Sequence, residues 1–137
     1  NLAARFSSNV KLLVQPCPRL VHQVEALDFD GAETRDLLRE YVFPLLAEKA
    51  DTLVLGCTHY HFLAEQIAAV AGPDVTIIST QQAVAREVAR RLELHGLLTA
   101  GGREGRAGFV STGDETRFRT QLDTLWGPGG MIYPFPW

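Results

Sequence analysis

Short apolar runs and helix-period apolar stripes alternate along the chain. Val10-Lys11-Leu12-Leu13-Val14 is brief and β-prone, and Pro16 and Pro18 close it, which predicts a buried strand. A short helix is expected over 19–27, followed by a turn at Asp30-Gly31. Leu37, Leu38, Tyr41, Val42, Leu45 and Leu46 then recur with helical period, and Pro44 among them should kink or split that helix. Thr52-Leu53-Val54-Leu55 reads as a second buried strand, Gly56-Cys57-Thr58-His59 as a tight loop, and 62–70 as a helix closed near Gly72-Pro73. A third strand is expected over 75–78. A helix follows over Gln81–Leu94, with Val84, Val88 and Leu92 on one face. Glycines 101, 102, 105 and 108 mark a loop over 99–108. Phe109-Val110-Ser111 reads as a fourth strand, Asp114 as the N-cap of a helix over Glu115–Leu125, and Met131-Ile132-Tyr133 as a last edge strand limited by Pro134 and Pro136. Strands alternating with helices predict an α/β fold, a three-layer sandwich with a largely parallel sheet and helices on both faces.

Composition narrows the partners. The chain has 137 residues, a one-domain length, and is 46% hydrophobic and 21% charged, an ordinary globular balance. The net charge is −3 and there is no basic block, which argues against nucleic acid or an anionic membrane as partner. No apolar run approaches the roughly 20 residues of a membrane span. Asn1-Leu2-Ala3-Ala4-Arg5-Phe6 has neither a signal-peptide core nor an initiator Met. It reads as the tail of a helix that began earlier, so truncation at this end is expected. Cys17 and Cys57 are isolated from each other in sequence and are expected to be reduced. His59 and His61 lie too close to Cys57 for a usual structural zinc site, and no metal is expected.

Cys57 is the residue with chemistry to explain. It follows a buried strand and precedes a helix, and in open parallel sheets ligands bind in the crevice at the carboxyl ends of the strands. The free N–H groups of the next turn favour a thiolate and a bound carboxylate. Gly56 is expected to let the backbone leave the strand sharply, Thr58 offers a hydroxyl, and His59 can exchange a proton near the thiol. The competing reading is a Cys that only packs at the end of a core strand. Cys17 reads as a buried hydrophobe. Glu25 reads, on its own, as a solvated helix carboxylate, and His22, His95, Arg86, Arg90 and Arg91 as surface residues. Gly101-Gly102 with Gly105 lacks the preceding strand and the Lys-Ser/Thr end of a phosphate loop.

The string Asp51-Thr52-Leu53-Val54-Leu55-Gly56-Cys57-Thr58-His59-Tyr60 resembles the second cysteine motif of glutamate racemases. Cys17-Pro18-Arg19-Leu20-Val21 with Val24-Glu25 is similar to the family segment bearing a glutamate of the site. Ala83-Val84-Ala85 and Phe109-Val110-Ser111-Thr112-Gly113-Asp114 fit as well. The resemblance covers nearly the whole chain but only the second half of the family's two-domain fold. It implies that 1–79 belongs to the second racemase domain and that 80–137 completes the first. Carried over, Cys57 is one acid/base, His59 assists it, Thr58 contacts substrate and Glu25 supplies a carboxylate. The Asp-Ser-Gly and Cys-Asn-Thr motifs of the family's first half are not found here. His61 stands where the family commonly has Pro, and Ser79-Thr80 where Asp-Ser or Asp-Pro is usual. The first departure is expected to alter the loop behind Cys57, and the second to loosen the pocket or its boundary.

The resemblance implies interconversion of L- and D-glutamate for peptidoglycan synthesis in the bacterial cytoplasm, with no cofactor and as a homo-oligomer. One thiolate removes the α-proton and a thiol on the opposite face returns one. The only lysines, Lys11 and Lys49, offer no evident pyridoxal site. Two other classes stay open. One is a non-catalytic remnant that binds a carboxylate or a protein partner. The other is an aspartate or hydantoin racemase relative, against which His59 argues, since aspartate racemases usually carry Glu there and hydantoin racemases a small residue.

Overall fold

The computed structural model describes residues 10–99, 101 and 105–135. The segment 1–6, expected to be the tail of a helix, and Gly102 of the glycine loop lie outside them. The chain divides into two units, 1–24 with 28–80 and 25–27 with 81–137.

The first unit holds α1 (Pro18–Glu25, whose last residue counts with the second unit), α2 (Ala32–Ala47), β1 (Thr52–Leu55), a 3-10 turn (His59–Leu63), α3 (Ala64–Ala71) and β2 (Thr76–Ser79). β1 and β2 pair in parallel, Thr52 opposite Thr76 through Leu55 opposite Ser79. Alternation along β1 sends Leu53 and Leu55 to one face, where they join Leu20, Val24, Leu37, Leu38, Leu63 and Ile67 in the core. Each such aliphatic side chain contributes about 1.5–3 kcal/mol by leaving water. Val54 and Ile78, on the other positions, are exposed. Thr34 is the buried polar residue of this core, and its hydroxyl donates to the Asp28 carbonyl at 2.8 Å.

Three expectations for this unit change. The run 10–14 is not a strand: it has no ladder, and Val10, Leu12 and Val14 are exposed. The run 10–15 and β1 instead line a common open gap of ≈ 860 Å³. An apolar β-prone run becomes a strand only when an edge accepts it. Pro44 does not split α2, which runs through it for 16 residues. It sits on the exposed side, where water can satisfy the carbonyl that the missing N–H frees. The helix expected over 62–70 begins earlier, as the tighter 3-10 turn from His59.

The second unit holds α4 (Gln81–Leu94), β3 (Gly108–Val110), α5 (Glu115–Leu125) and β4 (Met131–Tyr133). β3 and β4 are also parallel, Gly108 opposite Met131 and Val110 opposite Tyr133. Asp114 caps α5 as expected, its Oδ1 accepting from the Arg117 N–H at 2.7 Å. Leu122 is buried, and Phe109 meets Trp126 edge-on with ring centroids 5.3 Å apart. On α4, Val84, Val88 and Leu92 are exposed, while Glu87 pairs with Arg90 and Arg91. The fold is α/β with parallel strand pairing, as the alternation required. Among the described residues the pairing forms two separate two-stranded ladders.

Candidate functional site

β1 ends at Leu55, and the chain passes through Gly56 to Cys57 and Thr58 before the 3-10 turn. The exit does not depend on glycine. Gly56 has no left-handed backbone, and a Cβ there would meet nothing within 4 Å. What Gly56 leaves beside Cys57 is open space. Cys57 is half-buried, and its Sγ lies 3.8 Å from Nδ1 of His59. Burial opposes its ionisation. The backbone N–H and ring of His59 and the N–H of Tyr60 outweigh burial, and the Cys57 thiol is held below its ordinary value. The cradle exists because the turn starts immediately after the thiol: Thr58 is already helical, and the Tyr60 N–H also donates to the Cys57 carbonyl at 3.2 Å. The Thr58 hydroxyl makes no cap to the turn and its side chain is exposed.

Cys17 behaves oppositely. It is half-buried against the core, its Sγ donates to the Gln15 carbonyl at 3.2 Å, and burial followed by repulsion from a Cys57 thiolate pushes its thiol up. It packs against the core but is half-buried, not buried as read from the sequence. Both cysteines nevertheless line the same ≈ 860 Å³ gap. Tyr60 ties their loops together, its hydroxyl donating to the Cys17 carbonyl at 2.9 Å. Burial and then the two thiols push the Tyr60 phenol up, so it stays a donor. Sequence reasoning misses Tyr60; the signal for it is only an aromatic three residues after a reactive Cys.

In the sequence, His61 stands out only as a departure from the family string. Its Nδ1 lies 3.0 Å from Ser79 Oγ and its Nε2 3.4 Å from Thr80 Oγ1. The two departures from the pattern therefore touch each other. Glu25 ends α1 and counts with the second unit, where Gln121 Nε2 donates to its carboxylate at 2.9 Å and Arg117 lies 3.9 Å away. Cys57, Thr58 and His59 thus form one loop in the first unit, and Glu25 is held by α5.

The family profile for Asp/Glu/hydantoin racemase matches residues 4–88. A glutamate racemase of Methylococcus capsulatus is 47% identical over 136 residues, covering 99% of this chain and 50% of that protein. The crystal structure of glutamate racemase isoform RacE1 from Bacillus anthracis superposes with a TM-score of 0.86 at 30% identity, over 96% of this chain and 49% of that one. Glutamate racemase from Thermus thermophilus, solved with β-chloro-D-alanine, gives 0.76 at 34% identity, over 88% and 46%. The chain spans about half the length of the curated relatives it matches. With the family profile covering more than half of its residues, the chain belongs to the Asp/Glu/hydantoin racemase family.

Proposed function

We propose that the chain is the part of a glutamate racemase that carries the second of two catalytic thiols, and that it works on glutamate without a cofactor. The observation that carries the reading is the Cys57 thiol, held below its ordinary value at a strand end beside open space. In this reading Cys57 takes the α-proton from one face or returns one to it, and His59 passes that proton on. The amides at the start of the turn favour the substrate carboxylate and the negative charge that develops when the α-carbon loses its proton. The exposed Thr58 hydroxyl contacts substrate. By the family resemblance Glu25 supplies a carboxylate, which here accepts from Gln121 Nε2 at 2.9 Å. Residues 1–79 then belong to the second racemase domain, and 80–137 to the segment that completes the first. The Thermus thermophilus relative, solved with β-chloro-D-alanine, supports a pocket for an α-amino acid. The whole protein is a homo-oligomer in the bacterial cytoplasm that supplies D-glutamate for peptidoglycan.

One observation favours binding without turnover for the 137 residues by themselves: of the two thiols, only Cys57 is lowered. A coupled D-glutamate assay tests both parts. The isolated chain is expected to show no turnover. A protein joining it to a half with an opposing thiol is expected to racemise glutamate, and Cys57→Ala to cost about 10²-fold or more. Turnover by the isolated chain that Cys57→Ala abolishes would overturn the two-thiol reading.

A further inference from the structure

The His61 contacts form part of a closed circuit. Ser79, the last residue of β2, sits opposite Leu55, the last residue of β1. From Leu55 the chain runs through Gly56 and Cys57 into the turn, and the Tyr60 N–H bonds back to the Cys57 carbonyl. The next residue, His61, returns to Ser79 Oγ at 3.0 Å and reaches Thr80 Oγ1 at 3.4 Å. The strand ladder, the turn and the imidazole each tie one point of this path. His59 and His61, two residues apart on the 3-10 turn, therefore serve different partners: His59 faces the thiol and His61 faces β2. We infer that His61 is a positioning residue, which anchors the turn to the end of β2 and so holds the His59 and Tyr60 amides against the Cys57 sulfur.

The chemistry of the anchor suits a fixed support. A neutral imidazole carries one N–H and one lone pair, and a hydroxyl either donates or accepts. Ser79 and Thr80 therefore satisfy either tautomer of His61, and they accept from both N–H groups of the imidazolium. A proline at position 61 could not make these contacts. The His61 contact and the Ser79-Thr80 pair thus belong together.

The inference rests on the racemase reading for its purpose but not for its test, since alkylation needs only the thiol. Iodoacetamide labelling of each cysteine, followed against pH by peptide mass spectrometry, reads the Cys57 thiolate directly. His61→Ala is expected to move the Cys57 profile to higher pH and to slow labelling at neutral pH by about threefold or more, with Cys17 unchanged. Ser79→Ala, which removes only an oxygen, is expected to shift the profile the same way but less, because Thr80 remains. This second variant keeps the test decisive where His61→Ala does not fold. His61→Asn, which keeps a donor and an acceptor, is expected to restore part of the loss. An unchanged Cys57 profile, or a parallel rise in Cys17 labelling from general loosening, would overturn the inference.

Discussion

A cysteine with an ordinary pKa is only a few per cent thiolate at neutral pH, so a thiol meant to take a proton from carbon needs help to ionise. Cys57 receives it from two amides and an imidazole, against the opposing effect of burial. Cys17 receives none and is pushed the other way. The two thiols are therefore expected to label in order, Cys57 with the lower midpoint, and His59→Gln to move the Cys57 midpoint upward. Labelling by iodoacetamide as a function of pH measures this; equal rates, or faster labelling of Cys17, would remove Cys57 from the proposed role. The sign also fixes a stability window. A thiol whose folded value lies below its unfolded one adds stability that is fully present above the unfolded value and is lost as pH falls through the folded value. His59→Gln should shrink the gain in stability between neutral and alkaline pH. Sequence placed Cys57, Thr58 and His59 in one loop because they are neighbours. It could not place Tyr60 against Cys17, or His61 against Ser79, since those contacts join residues 43 and 18 positions apart.

At the scale of elements, what was legible had local causes. The limits of α4, α5 and β4 follow from the apolar period, the Asp114 cap and the glycine and proline breaks, and the structure keeps them. The run 10–14 failed because a strand is a property of a pair of edges, and pairing is not local. Pro44 does not split α2 because the cost of an internal proline depends on which side of the helix it occupies. The C-terminus of α2 was not legible at all. The Ala50 N–H bonds back to the Leu45 carbonyl at 3.0 Å, and Lys49 is held at φ 62, a left-handed conformation that favours glycine. Lys49 is exposed. Lys49→Gly should relieve that conformation and raise stability by about 0.5–1 kcal/mol, since the relief exceeds the entropy glycine adds to the unfolded chain. Urea unfolding followed by circular dichroism measures it. A variant less stable than the parent would show that the Lys49 side chain contributes more than its backbone costs.

On the scale of the whole molecule, the question is what covers the apolar surface. Parallel sheets normally have both faces buried under helices. In the first unit, β1 and β2 cover one face with the core and leave Val54 and Ile78 exposed, 61% and 44%, on the other. Among the described residues two strands are also fewer than a sheet needs to be stable in water on its own, and edges unpaired among those residues invite another chain. In the second unit, α4 presents Val84, Val88 and Leu92 to solvent along one helical face. A solvated helix carries charge around such a face; here the charges of Glu87, Arg90 and Arg91 pair with one another and leave the stripe apolar. Uncovered patches of this kind mark association surfaces. The 137-residue chain is therefore expected to self-associate as its concentration rises and to melt broadly. Light scattering with thermal melting separates the cases. Val54→Lys with Ile78→Lys is expected to weaken association by charging the open sheet face, and Val84→Lys with Val88→Lys by charging the helix. If both pairs leave the scattering unchanged, the exposed faces are not the contacts. A sharply melting monomer at high concentration would show that neither unit needs any further covering.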